Sequence, residues 1–166
     1  MTDKKLKSHR VKIDKIDKEI YALIQKRSSH AVAIGKIKSK LSPKETFYKP
    51  DRETKILRNI LNSNKKGLLP DSKIRAIYKE LISGCLSLEE ILKVAYLGPE
   101  ATHSEAAVHN QFGSQALRIP TSTIDDVFYQ VINDDVNLGV VPVENSSEGV
   151  INTTLNCLAD SKDINI

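Results

Sequence analysis

From Leu6 to Leu41 the chain holds no proline, and apolar residues fall at Ile13, Ile16, Ile20, Leu23, Ala31, Ile34, Ile37 and Leu41, mostly three or four apart. That spacing predicts one long helix with an apolar stripe along its side. At about 1.5 Å per residue the helix would run roughly 50 Å, farther than the shorter helices that follow can cover. The stripe therefore calls for a second long helix, and a second copy of the same chain is the simplest source. An intertwined homodimer is expected on this ground alone.

Ser42 to Pro50 carries two prolines and reads as a loop. A shorter helical pattern then starts at Asp51 and runs through Ile56, Ile60 and Leu61. A third starts near Pro70, Asp71 and Ser72, with Ile74, Ile77, Tyr78, Leu81, Ile82, Cys85 and Leu88 on its apolar side. Residues 1–92 thus read as an all-α region of three helices: long, short and medium.

At Lys93 the pattern changes. Short apolar runs at Val94 to Leu97, Leu117 to Ile119 and Leu138 to Val143 alternate with helical stretches at Ser104 to Phe112, Thr123 to Asn133 and Val150 to Ala159. This alternation predicts an α/β region over 93–166 built on an open parallel sheet. Asp163 to Ile166 reads as a fourth strand.

Charge divides at the same place. Residues 1–91 carry 22 Lys and Arg against 11 Asp and Glu, whereas residues 92–166 carry 3 against 10. The basic part suits either nucleic acid or a small anionic ligand. Few aromatics and no recognition motif argue against nucleic acid. The two cysteines, Cys85 and Cys157, lie in different regions, and no stretch has signal-peptide order or the roughly 20 apolar residues of a membrane span. The chain reads as cytoplasmic, with no membrane role. His9, His30, His103 and His109 form no ligand pattern with cysteine, so no metal is expected.

Arg27 breaks the stripe, because positions 13, 20, 27, 34 and 41 share one heptad register and only the middle one is charged. Either its stem lies along the stripe with the guanidinium reaching water or an acid, or it marks a buried anion site. Lys38 follows three turns later on nearly the same face, about 16 Å along the helix. Arg10 is about 25 Å from Arg27 on a straight helix, so it could join the same ligand only from another subunit. Arg52 and Glu53 begin the second helix, and Cys85 and Glu89 fall one turn apart on the third. Taken singly, each reads as helix-end electrostatics or an exposed charge.

Together they match a known pattern. Arg10-x-Lys12-Ile13-x-x-Ile16-Asp17, Arg27, Gly35-Lys36-x-Lys38, Phe47-Tyr48-x-Pro50-x-Arg52-Glu53 and Ile82-Ser83-x-Cys85-Leu86-x-Leu88-Glu89 resemble the chorismate mutase domain of bacterial bifunctional chorismate mutase-prephenate dehydratases. Val94-Ala95-Tyr96-Leu97-Gly98-Pro99-Glu100 resembles the opening of the dehydratase domain. Val140-Val141-Pro142-Val143-Glu144-Asn145-Ser146-Ser147-Glu148-Gly149 is similar to that domain's second signature.

The resemblance implies a unimolecular, pericyclic rearrangement of chorismate to prephenate in phenylalanine biosynthesis, with no cofactor. Such a reaction needs orientation and preorganised donors at the ether oxygen, where negative charge grows. By the same resemblance, Arg27 of one chain and Arg10 of the other clamp the substrate carboxylates, and Lys38 donates to a carboxylate and to the ether oxygen. Arg52 orients Glu53, which accepts from the ring hydroxyl, and Cys85 stands where relatives often have Ser. Glu89 occupies the place of a Gln donor, and a carboxylate donates only when protonated. Mutase activity is therefore expected to fall as pH rises through the titration of Glu89, and Glu89→Gln to flatten that fall.

Dehydratases of this family place their active site between two α/β lobes, with a catalytic Thr motif expected beyond Ile166. The resemblance accordingly assigns dehydration of prephenate to a longer chain. Thr102, Ser104, Asn145 and Ser146 are candidates for prephenate contacts, and His103 reads as a turn residue. In Ala101-Thr102-His103-Ser104, Ala stands where the family turn has Gly, which would strain a positive-φ position. The alternative to an active mutase is an inert dimerisation module. Retention of Arg10, Arg27, Lys38, Arg52 and Glu53 together speaks against it, since none of them helps a helical dimer to pack.

Overall fold

The computed structural model describes residues 2–41, 48–146, 149–161 and 164–166. The first region is three helices: α1 (Thr2–Leu41), α2 (Pro50–Ser63) and α3 (Asp71–Leu86). The long-short-medium order is as expected. The loop before α2 falls on residues 42–47, outside the described residues. Pro50 takes the first position of α2, where its fixed φ suits the helix and its missing N–H costs nothing. Asp51 and Glu53 in that first turn face the positive end of the helix dipole. The turn between α2 and α3 is tied by Asn64, whose amide donates to the Leu69 carbonyl at 2.9 Å and to Asp71 at 2.7 Å.

α1 spans 40 residues and packs chiefly on α3, through buried Ala31 and Gly35. The rest of its stripe stays open: Ile13, Ile16, Ile20, Leu23 and Ile34 are 46–66% exposed. A soluble helix does not hold such a row of large apolar side chains in water without covering it.

α3 ends at Leu86, and residues 87–89 form a turn, with the Glu89 N–H donating to the Leu86 carbonyl at 2.8 Å. Cys85 is therefore on the helix and Glu89 just past it, which corrects the expectation that both lie on α3. The Ser87 hydroxyl bonds back to the Gly84 carbonyl at 2.9 Å, satisfying a helix-end acceptor but ending the regular ladder.

The second region runs β1 (Lys93–Leu97), α4 (His103–Phe112), β2 (Leu117–Thr121), α5 (Ile124–Ile132), β3 (Leu138–Val140), β4 (Glu144–Asn145), β5 (Gly149–Val150) and α6 (Asn152–Asp160). β1 pairs in parallel with β2 on one side and β3 on the other, giving the order β2-β1-β3. The expected open parallel sheet is present. Val94 and Tyr96 face one side of it with Val108 and Phe112 of α4, while Ala95 faces the other with Val127 and Val131 of α5. Helices thus cover both faces, which is why β1 reads as a continuous apolar run rather than an alternating one.

Two expectations are corrected here. The run from Leu138 to Val143 is not one strand: β3 stops at Val140, because Pro142 has no N–H for a ladder, and the chain turns into the antiparallel β4–β5 pair. The fully buried Thr154 of α6 secures that turn by donating to the Pro142 carbonyl at 2.7 Å. Ile164 to Ile166 form no strand, and Asp163 lies outside the described residues. A four-residue apolar alternation makes a strand only where a sheet edge meets it.

Candidate active site

Along α1, Arg27, Ser28, Ala31, Gly35 and Lys38 follow one another at intervals that return to one face, and this face meets α3. The Arg27 guanidinium is half-buried and donates from Nη1 to the Leu81 carbonyl at 3.4 Å. Ser28 Oγ lies 3.6 Å from the buried Cys85 Sγ. Gly35 passes so close to Glu89 that a Cβ at position 35 would sit 3.1 Å from the Glu89 Cα. Lys38 Nζ then pairs with Glu89 Oε2 at 3.0 Å, their side chains 31% and 12% exposed. Four of the expected residues, Arg27, Lys38, Cys85 and Glu89, are thus gathered along one α1–α3 seam.

The other three are placed apart from it. Arg10 is exposed on the N-terminal half of α1, about 25 Å along the helix from Arg27. Arg52 is exposed in the first turn of α2. Glu53 is half-buried and lines a cavity of about 440 Å³ with Tyr48, Leu57, Arg58, Arg75, Lys79 and Gln111. Burial pushes its carboxyl above the usual carboxylate range, and the positive charge of Lys79 partly opposes this.

Sequence reasoning did not single out Ser28, the close approach at Gly35, or Lys79. For the first two a signal exists: Ser28, Ala31 and Gly35 are small residues spaced three and four apart, the pattern that lets two helix backbones approach. Lys79 carries no such mark, since one lysine on a basic helix resembles any other.

In the second region, Thr102 and Ser104 follow β1, while Asn145 and Ser146 follow β3, the strand beside it. The chain leaves β1 toward β2 on one side and returns to β3 on the other, so these residues emerge at the carboxyl ends of the two strands where the winding reverses. In open α/β sheets the carboxyl ends of strands at such a reversal are where ligands commonly bind. Thr102 also caps α4, its hydroxyl oxygen accepting from the Glu105 N–H at 3.5 Å. Ala101 adopts φ 63°, the left-handed position that the Ala-for-Gly substitution anticipated. Its N–H is held by Glu105 Oε2 at 2.6 Å. His103 is the first residue of α4 rather than a turn residue. Among the described residues no group of histidine, cysteine or acidic side chains could hold a metal, and no helix is long and apolar enough to cross a membrane.

Residues 9–90 match the family model of chorismate mutase type II, and residues 94–166 match that of prephenate dehydratase. One chain thus carries both regions, the first matched to chorismate mutase type II and the second to prephenate dehydratase. Curated relatives named bifunctional chorismate mutase/prephenate dehydratase are 44% identical over 153 residues in Stutzerimonas stutzeri, 46% over 159 residues in Aquifex aeolicus and 42% over 157 residues in Neisseria gonorrhoeae. These alignments cover 90%, 94% and 95% of this chain. The chain spans only 42–43% of the length of those relatives.

Proposed function

We propose that residues 9–90 act as a homodimeric chorismate mutase, rearranging chorismate to prephenate in the cytoplasmic synthesis of phenylalanine. The α1–α3 seam carries this reading: it gathers a half-buried guanidinium, an ammonium and a carboxyl side chain within a region matched to chorismate mutase type II.

The rearrangement breaks a C–O bond as a C–C bond forms and needs no nucleophile. The protein's task is to hold a dianion folded and to meet the charge growing on the ether oxygen. Arg27 binds one carboxylate, and Lys38 exchanges Glu89 for the substrate, donating to a carboxylate and to the ether oxygen. Once displaced, Glu89 serves as the second ether donor in its protonated form. Arg10 reaches the other carboxylate from the partner subunit, because the open stripe of α1 is long enough to pair two copies and Arg10 cannot reach Arg27 within its own chain. Arg52 orients Glu53 as acceptor for the ring hydroxyl, and Cys85 lines the seam. The segments that follow β1 and β3 supply prephenate contacts through Thr102, Ser104, Asn145 and Ser146 in an enzyme that also dehydrates.

The test is the loss of chorismate absorbance with the purified chain and with Lys38→Ala, followed by acid conversion of any prephenate. The reading requires prephenate to accumulate, and the substitution to cost about 10²- to 10³-fold in kcat, as for loss of an oxyanion donor. Equal rates for both proteins would instead support the inert dimerisation module.

A further inference from the structure

The end of α4 docks on the helical region at three points. Lys79 of α3, half-buried, donates from Nζ to the Asn110 carbonyl and to the Gln111 carbonyl, the latter at 3.3 Å. The Gln111 side chain donates to the Tyr48 hydroxyl at 3.1 Å, and the Tyr48 ring meets Phe112 edge to face at 5.3 Å. The last carbonyls of a helix have no partners within it and carry its negative dipole end, so they suit an ammonium group. These contacts fix the Lys79 charge on one wall of the cavity that Glu53 also lines.

We propose that Lys79 is a positioning residue for the mutase reaction: anchored on the carbonyls that end α4, it sets a positive charge against Glu53 and keeps Glu53 an acceptor for the substrate hydroxyl. The inference rests on the reading of Glu53 given above. It makes the α/β region a contributor to mutase chemistry although, among the described residues, that region supplies none to the α1–α3 seam.

Other groups around Glu53 do not replace Lys79. Arg52 of α2, given above the task of orienting Glu53, is exposed and lies outside the cavity lining, and Arg58 of α2 and Arg75 of α3, which do line it, are exposed as well, so water screens all three. Tyr48 stays neutral, its hydroxyl raised by burial, and Gln111, which α4 contributes, carries no charge. Burial alone drives Glu53 toward its protonated form, which cannot serve as a full acceptor; Lys79 is the charge that opposes it.

The experiment measures kcat and KM for chorismate from about pH 5 to pH 8, spanning the carboxylate and imidazole ranges, with the full chain, Lys79→Gln, Lys79→Arg and Glu53→Gln. Lys79→Gln keeps a donor to the α4 carbonyls but removes the charge. Its acid-side loss should begin at higher pH, with KM raised roughly tenfold at the acid end, the worth of one charge-assisted hydrogen bond. The difference in kcat between Lys79→Gln and the parent should narrow as pH rises, because loss of the charge favours the protonated form of Glu53 and leaves its carboxylate form as it was. Lys79→Arg should restore the parent profile, and Glu53→Gln should lack the acid-side loss. If the Lys79→Gln profile superimposes on the parent while Glu53→Gln loses the acid limb, the inference is overturned and the Glu53 reading survives. If Glu53→Gln keeps both full activity and the acid limb, both fall. Should Lys79→Gln fail to fold, Lys79→Met decides by the same criterion.

Discussion

Gly35→Ala adds one methyl group where α1 crosses the end of α3. The new Cβ would stand 3.1 Å from the Cα and 3.2 Å from the Cβ of Glu89, several tenths of an ångström inside ordinary contact. Two effects oppose each other. Alanine is favoured over glycine by about 1 kcal/mol in a helix interior, whereas overpacking a tight contact costs about 1–3 kcal/mol. The net destabilisation is about 0–2 kcal/mol, or up to roughly 8 °C in melting temperature for a chain of this size. The atoms displaced belong to Glu89, so the 3.0 Å pairing with Lys38 is disturbed directly. A misplacement near 1 Å can cost about 100-fold in rate, and a few tenths should cost about tenfold. Gly84→Ala is the control, because within the chain nothing lies within 4 Å of its added Cβ. It should gain about 1 kcal/mol and leave the rate unchanged. Thermal melts followed by circular dichroism, with chorismate decay on the same samples, compare the two. The reasoning is refuted if Gly35→Ala behaves like Gly84→Ala, melting above the parent with full activity.

Glu89→Gln should keep or raise the rate of chorismate decay, since an amide donates to the ether oxygen whatever the pH; a large loss of kcat in this variant would exclude Glu89 as an ether donor. Joint replacement of Ile20 and Leu23 by Glu, both about half-exposed or more on the open stripe, should convert dimers to monomers in light scattering and abolish activity together with dimerisation. A stable dimer carrying both charges would place the subunit contact elsewhere.

The three helices and the parallel sheet were legible because each is written in its own period: three-four spacing along α1 and α3, and short apolar runs for strands covered on both faces. What the sequence hid depends on neighbours. β3 stops short because of Pro142 and the buried bond from Thr154, and the β4–β5 pair consists of two-residue strands too short to leave a pattern. Within the site, Arg27 and Lys38 were legible because a charge on an apolar stripe demands an explanation. The seating of Glu89 beyond the end of α3 was not, because Cys85 and Glu89 have helical spacing whether or not the last turn is regular. Ala101 shows the opposite case: one unusual residue at a turn pointed to a positive φ, and the chain adopts it.

The most direct test of the central claim is subunit complementation. Arg10→Ala and Lys38→Ala are each purified, shown to be folded and inactive, then mixed in equal amounts, dissociated and allowed to reassociate. If each mutase site takes Lys38 from one chain and Arg10 from its partner, half the dimers become mixed and each mixed dimer regains one intact site. The mixture should then recover roughly a quarter of the parent activity. Mixed dimers that form but stay inactive would contradict a site shared between two subunits.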